Sequence, residues 1–178
     1  MTGVFDQAFE VVVGHEGGFD ATQADPGNWT SGVVGVGRLA GTKYGVSAAA
    51  YPDVAIADLT LDGARAIFRR DYWDPVRGDD LPPSLALLVF DCAVNNGVST
   101  AARWLQSAVG SDTDGAIGPL TLRAVAAATQ SGGVAPLCAH FHAKRIFFMA
   151  CLPSWRVFGR GWSERLSLLP YQSLTMGS

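Results

Sequence analysis

The sequence predicts a mainly α protein with a long irregular or small β-loop region after the first helix. Three observations carry this. Apolar residues recur at helical spacing in several segments bounded by capping and stop residues. Alternating strand patterns are nearly absent. Residues 20–47 are rich in glycine and proline and show no clean period, and loops of that length in compact proteins are usually functional.

The elements follow in chain order. Phe5, Phe9, Val12 and Val13 share a helical face, with Asp6 and Glu10 on another, and Gly17-Gly18 is the expected stop. Beyond the loop, Thr60 or Asp62 can cap a helix through Ala64, Ile67, Phe68 and Tyr72, ended by Pro75. Ser84 can cap the next, through Leu85, Leu88, Val89 and Cys92 to Asn95-Asn96-Gly97. Ser99 can cap a third, through Ala102, Leu105 and Val109 to Gly110. Pro119 suits the first position of a fourth, since its missing N–H costs nothing there. Residues 134–151 give a long apolar helix with Leu137, Phe141, Arg145 and Phe148 on one face.

Composition bounds the function. The chain has 178 residues, 48% hydrophobic and 16% charged, enough for one sizeable core or two small ones. The net charge of −3 argues against a nucleic-acid partner. Residues 1–90 carry six basic and twelve acidic side chains, whereas residues 91–178 carry seven and four. That shift, with a seam near 81–98, suggests a division of labour between residues 1–90 and a helical region over 91–178 packed on them. Cys92, Cys138 and Cys151 lack paired spacing and are expected to be buried free thiols. The first residues show no basic, apolar leader, and no apolar run approaches the ~20 residues of a membrane span. Synthesis in the cytoplasm, with release across the membrane by other means, is the expectation.

Among residues that could do chemistry, Glu16 in His15-Glu16-Gly17-Gly18-Phe19 stands first. A carboxyl at the end of a helix meets the negative end of the dipole, which together with apolar neighbours favours the protonated acid. The plainer reading is a surface glutamate before a glycine stop. Asp25, in Asp25-Pro26-Gly27, and Thr42, in Gly41-Thr42-Lys43-Tyr44-Gly45, complete the parts of glycoside hydrolysis: an acid, an ionised carboxylate and a hydroxyl to orient water. Asp-Pro-Gly is also simply a turn. Trp29, Tyr44, Tyr72 and Trp73 could stack on sugar faces or belong to the core; Tyr44 and Trp73 are the favoured pair. Asn95 and Asn96 could serve as helix caps.

Other chemistries fit poorly. Gly35-Val36-Gly37-Arg38 matches no phosphate loop. His15, His140 and His142 lack zinc-site spacing, so no metal is expected. Cys138 and His140, two residues apart, point to different faces of a helix and do not make a thiol–imidazole pair. Arg145, Arg156, Arg160 and Arg165 could form a basic patch or a solvated face.

Taken together, His15-Glu16-Gly17-Gly18-Phe19, Asp25-Pro26-Gly27 and Thr42-Lys43-Tyr44-Gly45-Val46-Ser47 resemble the muramidases of glycoside hydrolase family 108. Tyr72-Trp73, Leu81-Pro82, Phe90-Asp91, Val94-Asn95-Asn96-Gly97, Trp104-Leu105-Gln106 and Phe158-Gly159-Arg160-Gly161-Trp162 fit the same family. The stretch Asp114-Gly115-Ala116-Ile117-Gly118-Pro119-Leu120-Thr121 resembles the signature of peptidoglycan-binding modules. The ordered Glu, Asp, Thr set is also similar to that of phage-type lysozymes, and Asn28 to Ala40 looks like an insertion. The resemblance implies a lysozyme-like fold and an endolysin-type muramidase acting on peptidoglycan without cofactor. Glu16, Asp25 and Thr42 would be catalytic, while Tyr44, Trp73, Asn95 and Asn96 would face the substrate. The chain is expected to be a monomer. A lytic transglycosylase and a non-catalytic peptidoglycan-binding protein remain the alternatives.

Overall fold

The computed structural model describes residues 3–14 and 17–176. It is mainly α, as the sequence predicts. The elements run α1 (Val4–Val12), β1 (Thr42–Lys43), β2 (Val46–Ser47), α2 (Leu61–Phe68), α3 (Pro83–Asn96), α4 (Val98–Val109), α5 (Pro119–Gly132), α6 (Val134–Ala150) and α7 (Trp155–Ser173), with short 3-10 turns between them. The chain divides into two compact units, Phe9–Arg69 and Met1–Ala8 with Arg70–Ser178.

The helix ends follow local chemistry. Helix α1 stops at Val12 because Gly14 takes a φ of +76°, a conformation that favours glycine. The stop therefore falls short of Gly17-Gly18, and α1 ends four residues before Glu16. Thr60 caps α2 through its hydroxyl, which accepts from the Gly63 amide at 3.1 Å. The segment Arg69–Trp73, expected to continue α2, loosens into a π turn. Helix α3 opens on Pro83 rather than on a Ser84 cap, and Gly97 rather than Ser99 precedes α4. Pro119 opens α5 as expected. Helix α7 was not anticipated at all.

In the smaller unit, residues 17–47 build an irregular β region. Strands β1 and β2 pair antiparallel, Thr42 opposite Ser47 and Lys43 opposite Val46. The Asn28–Ala40 stretch folds back on itself: Trp29 bridges Leu39, and the Thr30 amide donates to Arg38 O at 3.0 Å. Phe9 meets Phe68 edge-on and, with Ile56 and Ala64, supplies this unit's core.

In the larger unit, α3 is the central helix and packs against α4, α6 and α7. Its residues Leu85 to Ala93 are all buried, which explains the near-continuous apolar run. Phe5, Trp73 and Phe90 form an edge-on cluster beside it, at centroid distances of 5.4–6.1 Å. Two charged groups sit in this core, Asp91 and Arg145. Asp91 is fully buried and accepts from Arg145 at 2.5 Å and from the Arg165 Nε at 2.9 Å, so α3 is pinned to both α6 and α7. Arg145 and Arg165 thus face inward and do not join Arg156 and Arg160 in one patch. Cys92 and Cys138 are buried, and burial pushes their thiols up to about 12 and about 11. Cys151, in contrast, is exposed.

Candidate active site

The first step of the site is a convergence of three backbone segments in the smaller unit. The Tyr44 amide donates to Gly17 O at 3.0 Å, and Asp20 and Thr42 exchange two backbone hydrogen bonds of 2.9 and 2.8 Å. Asn28 O accepts from the Ala40 and Gly41 amides at 2.9 and 3.0 Å. The segments 17–20, 25–28 and 41–44, separated in sequence, are thereby laced together. Gly17 is obligatory in this lacing, because a Cβ there would lie 2.5 Å from the Tyr44 Cα. Glu16, the candidate acid, and His15 lie outside the described residues.

Asp25 occupies the cap of the Pro26–Asn28 turn, where its Oδ1 accepts from the Gly27 amide at 2.8 Å. The side chain is exposed, and its Oδ2 makes no hydrogen bond among the described residues. The Thr42 hydroxyl is likewise uncommitted, on a residue whose backbone is fully paired. Asp20 is arranged differently. Its Oδ1 accepts from the Thr22 hydroxyl at 2.7 Å and its Oδ2 from Asn28 Nδ2 at 2.9 Å. These bonds, the Thr22 hydroxyl first, hold its carboxyl below the usual value. Asp20 is thus an ionised brace, and Asn28, fully buried, is the residue that sequence reasoning missed. Its place directly after an Asp-Pro-Gly turn was the available signal.

Tyr44 is partly exposed, at a φ of +49°, with the Lys43 ammonium 5.5 Å from its ring centroid. Beside this region a groove of about 380 Å³ runs between Phe19, Arg38, Asp53 and Ile56.

The larger unit carries the remaining candidates. Trp73 is fully buried; its indole Nε1 donates to Asp79 at 3.0 Å, and its ring fills the aromatic cluster. The expectation that it faces substrate is corrected: it is a core residue. Asn95 is exposed and donates to Asp91 O at 2.8 Å, while Asn96 accepts from Arg145 Nε at 3.1 Å. Both line a cavity of about 160 Å³ with Trp162 and Arg165. The α3 terminus is capped by backbone, with the Gly97 amide donating to Ala93 O.

The Asp114-to-Thr121 stretch has a structural logic. Gln106, buried on α4, donates to Asp114 Oδ1 at 2.6 Å, to Ala116 O and to the Thr121 hydroxyl, and accepts from the Gly115 amide. The signature residues therefore tie a loop to two helices. The Ala116 amide and then Gln106 hold the Asp114 carboxyl below its usual value.

Residues 9–97 match the model of "Glycosyl hydrolase 108", half of the chain. The chain belongs to glycoside hydrolase family 108. The glycoside hydrolase also matches, over residues 100–167, the model described as "Predicted Peptidoglycan domain". Among solved structures it is similar to that of Brucella abortus SagA. The TM-score is 0.77 at 29% identity, covering 97% of this chain and 94% of that one. No curated protein sequence matches it. The fold is lysozyme-like and mainly α, and the glycoside hydrolase acts on peptidoglycan. Among the described residues no group of three histidine, cysteine or carboxylate side chains could hold a metal, and no helix is long and apolar enough to cross a membrane.

Proposed function

We propose that the protein is an endolysin-type N-acetylmuramidase that hydrolyses the β-1,4 bond from N-acetylmuramic acid to N-acetylglucosamine. The observation that supports this best is the lacing of segments 17–20, 25–28 and 41–44, which draws the neighbours of Glu16, Asp25 and Thr42 into one small region.

Glu16 donates its proton to the glycosidic oxygen, which leaves as the N-acetylglucosamine 4-hydroxyl. Asp25 Oδ2 and the Thr42 hydroxyl hold a water, which attacks the anomeric carbon from the opposite face and gives up its proton to Asp25. This division suits the hydrogen bonding of the two aspartates: Asp25 keeps one oxygen uncommitted, whereas both oxygens of Asp20 are taken. Attack by water from the far side inverts the anomeric centre, with carboxyls roughly 6.5–9.5 Å apart. Tyr44, Asn95 and Asn96 contact the glycan. Residues 1–90 act as the catalytic region and 91–178 as the wall-binding region. The enzyme works as a monomer, on the wall, after release from the cytoplasm.

Mass analysis of fragments from purified peptidoglycan tests the assignment. The wild type should leave reducing N-acetylmuramic acid ends, and Glu16→Gln should release nothing. A 1,6-anhydro product would mark a lytic transglycosylase, and binding without fragments a wall-binding protein. Proton NMR of the first product should show the α-anomer; an early β-anomer would remove the water-activating role of Asp25. Asp25→Asn should lower activity far more than Asp20→Asn, with Thr42→Val between them.

A further inference from the structure

Helices α6 and α7 pack against each other across the four-residue Cys151–Ser154 turn, which makes them an antiparallel hairpin. On α7 the inward face is Gly159, Leu166, Leu169 and Ser173, all buried. At 100° per residue the opposite face is Val157, Gly161, Glu164, Leu168 and Tyr171. Val157 is 74% and Tyr171 73% exposed. On α6 the inward face is Leu137, Phe141, Arg145 and Met149. The opposite face, Ala139, Ala143, Ile146, Phe147 and Ala150, has no charge, and Phe147 is 75% exposed. Helix α6 is thus apolar away from the core, and α7 carries Val157, Leu168 and Tyr171 on its outward side with Glu164 as the charge among them, so exposed hydrocarbon on both helices calls for cover. Neither is long and apolar enough to span a membrane.

We propose that the outward face of this hairpin docks on an anionic lipid bilayer. The charges select that occupant. Arg156 and Arg160 are exposed on α7 and Lys144 partly so on α6, while Glu164 is the one acid between Val134 and Ser173. A second copy on a two-fold axis would bring like charges together. A polysaccharide would leave the aliphatic and Phe147 area without hydrocarbon. An anionic bilayer supplies both hydrocarbon for Phe147 and Val157 and phosphates for the basic fringe. At the open end of the hairpin an apolar hollow of about 530 Å³, lined by Leu88, Cys138, Ile146, Tyr171 and Leu174, continues the same face. It has room for part of an acyl chain.

Co-sedimentation of the full chain with vesicles tests this. The protein should pellet with phosphatidylglycerol vesicles, less so at high salt, and far less with phosphatidylcholine. Phe147→Ser with Val157→Ser should abolish pelleting without changing the melting temperature, since both side chains are exposed. Each basic side chain near such a surface is worth roughly fivefold in affinity, so Arg156→Gln with Arg160→Gln should weaken binding about 25-fold. Failure to bind phosphatidylglycerol, salt-independent binding to both lipids, or wild-type binding by the double variants would overturn the proposal. So would a dimer in sedimentation equilibrium that the Phe147 and Val157 changes dissolve. The wild type should also hydrolyse soluble peptidoglycan fragments; absence of that hydrolysis would count against the muramidase reading alone.

Discussion

At the scale of single residues, Gly17 separates what a motif says from what geometry requires. The sequence offers Gly17 and Gly18 alike as a helix stop, yet Gly18 stands in open space while Gly17 lies under the backbone of Tyr44. Gly17→Ala should therefore break the Tyr44–Gly17 hydrogen bond and lower stability by about 1–3 kcal/mol, the usual cost of overpacking. Activity should fall with it, and Gly18→Ala should be mild; urea denaturation beside a lysis assay separates the two. Glu16→Gln should cost at least ~10²–10⁴-fold in rate with an unchanged melting temperature. Asp20 and Asp114 set the acid limit. Their folded-state pKa values are depressed, so what they contribute is present above the unfolded value near 4 and is lost as pH falls through the folded one. Stability should decline below about pH 4, and less steeply in Asp20→Asn and Asp114→Asn, as read by thermal melts across pH 2–6. Glu16, Asp25 and Thr42 could be proposed from the sequence because each role needs a particular functional group. Asn28 was marked only by its place after the Asp-Pro-Gly turn and Gln106 only by its motif, because what a buried amide does depends on the partners that folding brings to it.

At the scale of elements, capping chemistry was the most readable feature. Thr60 and Pro119 stand where their side chains suit a helix start, and Thr60→Ala should cost about 1 kcal/mol by equilibrium unfolding. Ser84 and Ser99 misled because Pro83 and Gly97 begin their helices one or two residues earlier. Helix α7 escaped notice for a physical reason. Its exposed side mixes Val157, Phe158, Leu168 and Tyr171 with Arg156, Arg160 and Glu164, so no single apolar face stands out, and Pro170 lies within it. Trp73 misled in the opposite way, since an aromatic ring can serve stacking or core equally well until its burial is known. The loop after α4 hangs on Gln106, so Gln106→Ala should leave Thr121 and the Gly115 amide unsatisfied and cost about 1–3 kcal/mol. Hydrogen exchange should show residues 111–118 opening first in that variant.

At the scale of the whole molecule, the charge difference between the halves of the sequence described regions rather than the compact units, because Met1–Ala8 belongs with Arg70–Ser178. The boundary between the units falls within α1, between Ala8 and Phe9, where no reading by halves would put it. The larger unit is organised around Asp91, and Asp91→Ala should destabilise it by about 3–5 kcal/mol, since a buried Arg145 would lose its counter-charge. The same ion cluster also has a consequence in time. Asp91 and its farther partner Arg165 are 74 residues apart, and ribosomes add roughly 5–20 residues each second. For about 4–15 s the nascent chain therefore carries Asp91 without the second of its two arginines, and the ion cluster is complete only once α7 is synthesised. Stalled chains ending before Arg165 should be cut readily by protease, and chains released after α7 should resist it.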